Sequence, residues 1–258
     1  MSLQLVEMIK NVVIAKSKPA VYISGGIDST IILHHLSEKS NCEIYTYHAK
    51  FGMEGDECGK ARKVAKYYGT KHTEIEITSF VDTLQEVMKF FSRARYNIWP
   101  YWLARQAKLD GRENIYIGEG SDEHFGGYTN RDYTYAWASQ INYALFTFKV
   151  IHSHLTLNLE TPFHNLDWKK TIKFYKPPQK EVLREGYKGV ILDLFLNVGG
   201  RPPAFTNYYA LWDKELKQYF PDYIPKSVED IKSALHFLAV KAWYSDQNKV
   251  SKNYDILT

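Results

Sequence analysis

Val21-Tyr22-Ile23-Ser24-Gly25-Gly26-Ile27-Asp28-Ser29-Thr30 is the stretch on which the architecture turns. It reads as a short buried strand over residues 21–23, a tight turn, and a helix over about 27–36. Two adjacent glycines let the backbone bend sharply and approach a ligand with no Cβ in the way. The hydroxyls of Ser24, Ser29 and Thr30, with the backbone N–H groups of the helix start, make a nest of donors suited to phosphate. Asp28 is the odd residue, because a carboxylate repels phosphate unless a cation lies between them. Its presence points to a Mg-bound polyphosphate rather than a free anion. Ser-Gly-Gly alone reads more readily as a serine-capped junction of an ordinary α/β protein. The full string Ser24-Gly25-Gly26-x-Asp28-Ser29 is the specific signal, and it lacks the lysine and spacing of a Walker A loop.

Composition narrows the class. The chain has 258 residues, 45% hydrophobic and 24% charged, a globular balance long enough for one generous α/β domain or two small ones. No run approaches the roughly 18 apolar residues of a membrane span. Leu3, Leu5, Val6, Ile9, Val12 and Val13 recur at helical spacing, without the basic start, apolar block and cleavage site of a signal peptide. An amphipathic helix beside the first strand and a cytoplasmic location are the expectation. Cys42 and Cys58 form no C-x-x-C pair, so neither a disulfide framework nor a zinc site is indicated. The formal charge of +4 is mild for this length, so neither nucleic acid nor membrane is expected as a partner.

Three αβ units follow one another: strands over 21–23, 43–48 and 72–77, and helices ending near 37, over 56–68 and over 79–91. The third helix shows the pattern clearly, with Val81, Leu84, Val87, Met88 and Phe91 at steps of three and four. A helix over 100–109 then precedes a strand over 114–117. Such alternation predicts a parallel sheet flanked by helices, with ligands at the carboxyl ends of the strands. From Tyr133 onward the pattern is mostly helical, broken by prolines, with Asn165 as a helix N-cap. The reading is one domain over 1–258, with a nucleotide-binding α/β part over 1–130 and a helical part over 131–258.

The fourth strand runs into Gly118-Glu119-Gly120-Ser121-Asp122-Glu123-His124-Phe125-Gly126-Gly127-Tyr128. Four glycines and three acids in eleven residues make a good ligand loop. Taken alone, it is equally an acidic turn capping a helix at Ser121. Beside Asp28 at a parallel strand's end, it places Asp28 and Asp122 across the phosphates with Mg²⁺ between them.

The loop at 24–29 resembles the PP-loop of ATP pyrophosphatases, which cleave ATP between the α and β phosphates. With 118–128 it closely resembles the synthetase domain of class B asparagine synthetases. Residues 69–74, Pro162-Phe163-His164-Asn165 and Lys180-Glu181-Val182-Leu183-Arg184 resemble further segments of that family, the last two being its Pro-Phe-Leu-Asp and Lys-x-x-Leu-Arg. The resemblance implies an adenine nucleotide α-hydrolase-like fold. It implies ATP with phosphates on Ser24, Gly25, Gly26 and Ser29, its base near the backbones of Tyr22, Ala49 and Gly118, and Ser121 beside the nucleotide. It implies Mg²⁺ on Asp28 and Asp122. A carboxylate would attack the α-phosphate, and an amine would displace AMP from the acyl-adenylate, with Glu119 as the candidate for amine handling or proton removal.

Three departures stand out. Residue 2 is Ser2 and the PP-loop follows almost at once, so the expected nitrogen source is free ammonia, an amine substrate or a separate glutaminase. The family's Arg-x-Lys-x-x-Phe corresponds to Gly200-Arg201-Pro202-Pro203-Ala204-Phe205, without the lysine. Arg201 is either a bidentate phosphate-binding substitute or a loop cation. Asn165 replaces the family's aspartate, altering either the substrate pocket or a helix cap.

The leading reading is an AMP-forming amide ligase acting on aspartate or another small carboxylate. Other readings are a β-lactam- or macrocycle-forming relative, a tRNA-modifying PP-loop enzyme, and a non-catalytic ATP-binding subunit. His34-His35 and His152-Ser153-His154 sit on helices at spacings that do not converge on one metal, so they read as packing. His124 is left even between structure and substrate. Trp99, Tyr101, Trp102, Tyr133 and Trp137 read as core more readily than as a stacking platform.

Overall fold

Short segments pair into a five-stranded parallel sheet in the order β3-β2-β1-β4-β5. The computed structural model describes residues 2–50, 57–127, 144–177, 180–196 and 204–254. The strands are β1 (Pro19–Tyr22), β2 (Tyr45–Lys50), β3 (Lys71–Glu76), β4 (Asn114–Tyr116) and β5 (Asn158–Glu160). The connecting helices are α2 (Ile27–Lys39), α3 (Cys58–Tyr67), α4 (Phe80–Val87) and α5 (Pro100–Leu109), with α1 (Ser2–Val12) leading into β1 and α6 (Ser121–Phe125) following β4. β1 is buried along its whole length while β3, at the sheet edge, is half-exposed and carries charges, as an edge strand must to avoid pairing with a second chain.

The chain forms two compact units. The first comprises Met1–Ala49, Glu57–Ile75 and Leu103–Gly199 and contains the core of the sheet. Leu5, Ile9 and Val13, four residues apart, are fully buried with Val21, Ile23, Ile31 and Tyr116 in one cluster. Burying each aliphatic side chain stabilises by about 2 kcal/mol, which holds α1 on the helix Glu181–Tyr187 and the turn Pro162–Asn165, in the same core cluster as Val21 of β1.

The second unit comprises Lys50–Asp56, Glu76–Trp102 and Gly200–Thr258. Val81, Leu84, Val87, Met88 and Phe91 are all buried, and α4 packs on the long helix Val228–Tyr254. Trp243 Nε1 of that helix donates to the Phe91 carbonyl at 3.0 Å. The start of α4 has no side-chain cap of its own; the Glu215 carboxylate takes that place, accepting from Val81 N at 3.1 Å. Tyr101 and Trp102 are buried, Trp102 stacking on Phe80. They are core, as expected; Tyr133 and Trp137 lie outside the described residues.

Two expectations need correction. β5 falls in the stretch read as helical. Asn158-Leu159-Glu160 contains one apolar side chain, so it shows no period; its place comes from backbone pairing with β4, in register Ile115 with Leu159. Asn165 is not a helix N-cap but the last residue of the 3₁₀ turn Pro162–Asn165. The cap is Asp167, whose carboxylate accepts from Lys169 N at 3.0 Å. Among the described residues no helix is long and apolar enough to cross a membrane.

Candidate active site

The sheet order places a topological switch beside β1. The chain leaves β1 toward β2 on one side, and β4 joins on the other. At such a point the loops beyond the two strands part and leave a crevice for ligands. The loops leaving β1 and β4 are those singled out from sequence.

The first loop holds its shape by its own side chains. Gly25 takes φ +77°, and a Cβ there would lie 2.6 Å from Lys60 Cβ and 2.7 Å from Ala61 N. No other residue fits that position. Gly26 N donates to Ser24 Oγ at 3.1 Å, Ser24 N to Ser29 Oγ at 3.3 Å, and Ser29 Oγ to the Gly26 carbonyl at 3.3 Å. Ser24 is exposed and Ser29 is buried. Thr30, counted among the donors from sequence, is fully buried and donates to the Gly26 carbonyl at 2.8 Å. It belongs to the helix rather than to the nest.

The second loop reaches across to the first. Gly120 precedes α6, so Ser121 is the first helical residue rather than its cap. Its Oγ donates to Asp28 Oδ1 at 2.6 Å, which couples the two loops directly. Asp122 is enclosed by its own chain: Gly126 N and Gly127 N both donate to its carbonyl, at 3.0 and 2.9 Å. A Cβ on Gly127 would stand 1.5 Å from Asp122 Oδ1, so the carboxylate occupies the space any larger residue would need.

One residue completes the site that sequence reasoning had not assigned to it. Lys180 Nζ lies 2.5 Å from Asp28 Oδ2 and 2.9 Å from Asp122 Oδ1. It is buried, at 7% exposure. Burial alone would pull its pKa down, but the charges of Asp28 and then Asp122 outweigh that and raise it above the ordinary lysine value. Its backbone sits in the left-handed region (φ 55°, ψ 43°) at the start of the helix Glu181–Tyr187, a conformation costing about 1 kcal/mol for a non-glycine residue. The only signal for it in the sequence was the Lys180–Arg184 resemblance, which carried no role.

The remaining candidates are placed as follows. Tyr22 ends β1 with its side chain buried, its hydroxyl 2.8 Å from His152 Nε2. Only its backbone is therefore available to a nucleotide. Ala49 lies near the end of β2, and Gly118 lies two residues beyond the end of β4, packed against Asp28 Cβ. Glu119 is half-buried in the loop between β4 and α6. Arg201, with the rest of 197–203, lies outside the described residues. His124 is fully buried, its Nδ1 2.7 Å from Thr171 Oγ1; burial, and then His164, hold its pKa down at about 4. The His164 ring packs on Gly120, and burial followed by the Lys149 charge lowers its pKa to about 4 as well.

The sequence model described as "Asparagine synthase" matches residues 3–245. Asparagine synthetase [glutamine-hydrolyzing] 3 of Arabidopsis thaliana is 34% identical over 126 residues, 42% of this chain and 21% of that protein. Amidase chry2 of Gibberella zeae is 31% identical over 133 residues, 42% of this chain and 19% of that protein. The aligned stretch is thus about a fifth of these relatives' length. Among solved structures, an NH3-dependent NAD synthetase from Campylobacter jejuni superposes over 92% of this chain and 93% of its own, with a TM-score of 0.41 and 12% identity. With the matched model covering nearly its whole length, this chain belongs to the asparagine synthase family.

Proposed function

We propose that the chain is an ATP-dependent ligase that activates a carboxylate as its adenylate and passes the acyl group to ammonia or an amine. The observation that carries this reading is the convergence of Asp28 and Asp122, from the loops after β1 and β4, on one buried cation. A polyphosphate site needs such a carboxylate pair only where a metal accompanies the nucleotide.

The donor set fits Mg²⁺. Asp28 Oδ2 and Asp122 Oδ1 both lie within 2.9 Å of one Lys180 Nζ, so two hard oxygen ligands already share a single positive centre. Held by Asp28 and Asp122 with the Lys180 ammonium displaced from between them, Mg²⁺ would neutralise charge on the departing pyrophosphate. The chain's own residues do the rest. The Ser24–Gly26 turn and Ser29, at the positive end of α2, hold the phosphates. Ser121 orients Asp28. The substrate carboxylate oxygen bonds to the α-phosphorus as the bond to the β-phosphate oxygen breaks, and pyrophosphate leaves with the electron pair. The amine nitrogen then bonds to the acyl carbon and AMP departs, while Glu119 takes the proton. Catalysis by such a site rests on positioning and charge neutralisation rather than on a covalent nucleophile.

Asp122→Asn keeps the shape of the side chain and removes its charge. Mg-dependent pyrophosphate release from ATP should fall by at least about 100-fold. Turnover equal to the parent would remove Asp122 from the metal site.

A particular observation favours a substrate other than aspartate. Where the resembled family has Pro-Phe-Leu-Asp, this chain has His164 and Asn165, and the uncharged His164 ring packs on Gly120 beside Glu119. A neutral imidazole and an amide in place of a carboxylate suit a less cationic acyl substrate than an α-amino acid. The relation to Amidase chry2 is in keeping with such divergence.

A further inference from the structure

Helix α2 carries a second cluster on its later turns, away from the crevice. Adjacent histidines on a helix point about 100° apart, which is why the sequence reading assigned His34 and His35 to packing. The structure adds a third group, because Glu38, one turn on, reaches both. His34 Nε2 lies 3.6 Å from Glu38 Oε1, and His35 Nδ1 lies 3.2 Å from Oε2. One ligand atom from each of the three side chains falls within 4.8 Å of the others. Among the described residues no other three His, Cys, Asp or Glu side chains converge in this way.

The outer ring nitrogens are fixed by phenols. Tyr68 Oη is 3.3 Å from His34 Nδ1, and Tyr187 Oη is 2.7 Å from His35 Nε2. A phenol hydroxyl both donates and accepts, so each tyrosine can accept the outer N–H and leave the inner nitrogen as a lone pair facing Glu38. That is the supporting arrangement of a metal-ligating histidine. His34 Nε2 is buried and makes no hydrogen bond. Burial holds both imidazoles neutral at pH 7, the ligating form.

The surrounding charges permit a cation. Lys10 Nζ stands 3.8 Å from Glu38 Oε2, a loose exposed pair that a divalent ion would displace. Lys39 Nζ is turned away, donating to the backbone carbonyls of Lys10 and Val13. The Glu38 side chain is 42% exposed, so the site opens to water on one side.

We propose that His34 Nε2, His35 Nδ1 and the Glu38 carboxylate bind one divalent transition-metal ion of the Zn²⁺ class. Two imidazoles and one carboxylate, with a fourth position open to water, form a zinc ligand set. Mg²⁺ and Ca²⁺ prefer all-oxygen ligation and should be poor competitors.

The test is titration of the metal-stripped full chain with Zn²⁺ at pH 7.5 in competition with a chromophoric chelator. One ion per chain is expected. Glu38→Gln and His34→Gln should each weaken it by at least about 10-fold, and Tyr68→Phe should weaken it to a smaller degree. Cys42→Ser and Asp122→Asn should leave it unchanged, and a 100-fold excess of Mg²⁺ should not displace it. No uptake by the parent chain would overturn the proposal, as would equal uptake by the parent and Glu38→Gln. Should His34→Gln fail to fold, the exposed Glu38 variant still decides.

Discussion

Lys180→Met should unfold about 3 kcal/mol more easily than the parent chain in denaturant without nucleotide or metal. The parent holds two carboxylates, Asp28 and Asp122, on one ammonium at 2.5 and 2.9 Å. Methionine fills the same space but leaves those like charges facing each other in a half-buried site. Their side chains are 24% and 18% exposed, so solvent screens part of the repulsion. Breaking a fully buried pair costs about 3–5 kcal/mol, and this site belongs at the lower end of that range. The loss should be partly restored by Mg²⁺, which would take the position the ammonium held, and by adding Asp122→Asn, which removes one of the opposed charges. Neither treatment should stabilise the parent chain to the same degree. The Lys180 contribution should persist at neutral pH. Its pKa is raised in the folded chain, so the stabilisation is complete below about pH 10.4 and is lost only as pH rises through the higher folded value. A variant as stable as the parent, with no response to Mg²⁺, would show that Lys180 does not hold the pair.

Acid should destabilise the chain well before its carboxylates protonate. His35, His124, His152 and His164 are each lowered to about 4, with burial the first cause in every case. His152 shows why. Its Nδ1 lies 2.7 Å from the Phe148 carbonyl, which can only accept, so Nε2 is left to accept from the Tyr22 hydroxyl at 2.8 Å. A second proton would place a donor against that hydroxyl inside the core. The unfolded chain takes up these protons near pH 6.5 and the folded chain only near 4, so stability is full above about 6.5 and falls as pH drops toward 4. At pH 5 the loss is about 1 kcal/mol per imidazole after allowance for screening. Thermal unfolding at pH 5 should therefore come about 10 °C below that at pH 7. His152→Gln should show a shallower fall between the two. A midpoint that is flat across this range would mean the four imidazoles are protonated or solvated in the folded state.

Much of this was readable from the sequence where local chemistry is strong. The strands β1, β2 and β4 announce themselves as short, mostly apolar or aromatic runs with glycine soon after, and α4 with the 3₁₀ turn that continues it by five apolar residues at helical steps, all of which are buried. Ser24, Asp28, Ser121 and Asp122 stand out because glycines and carboxylates at strand ends have few purely structural uses. What escaped the reading depends on distant contacts. β5 has three residues and one apolar side chain, and only β4 gives it a sheet position. Lys180 is 58 positions beyond Asp122, on a different helix, and an isolated lysine carries no periodic signal. Glu38 lies four residues after His34 and three after His35, the spacings at which helical side chains meet; it escaped because only the histidine pair was weighed. Thr30 and Asn165 failed for a local reason, since hydroxyl and amide side chains bond equally well to a ligand or to their own backbone.

The most direct test of the central claim is product analysis. The full chain is incubated with ATP labelled at the α-phosphate, Mg²⁺ and a panel of small carboxylates, each with and without ammonium. The account predicts pyrophosphate release dependent on one class of carboxylate, with free AMP and amide appearing in equal amounts only when the amine is present. Formation of ADP and phosphate, or AMP release indifferent to both carboxylate and Mg²⁺, would contradict it.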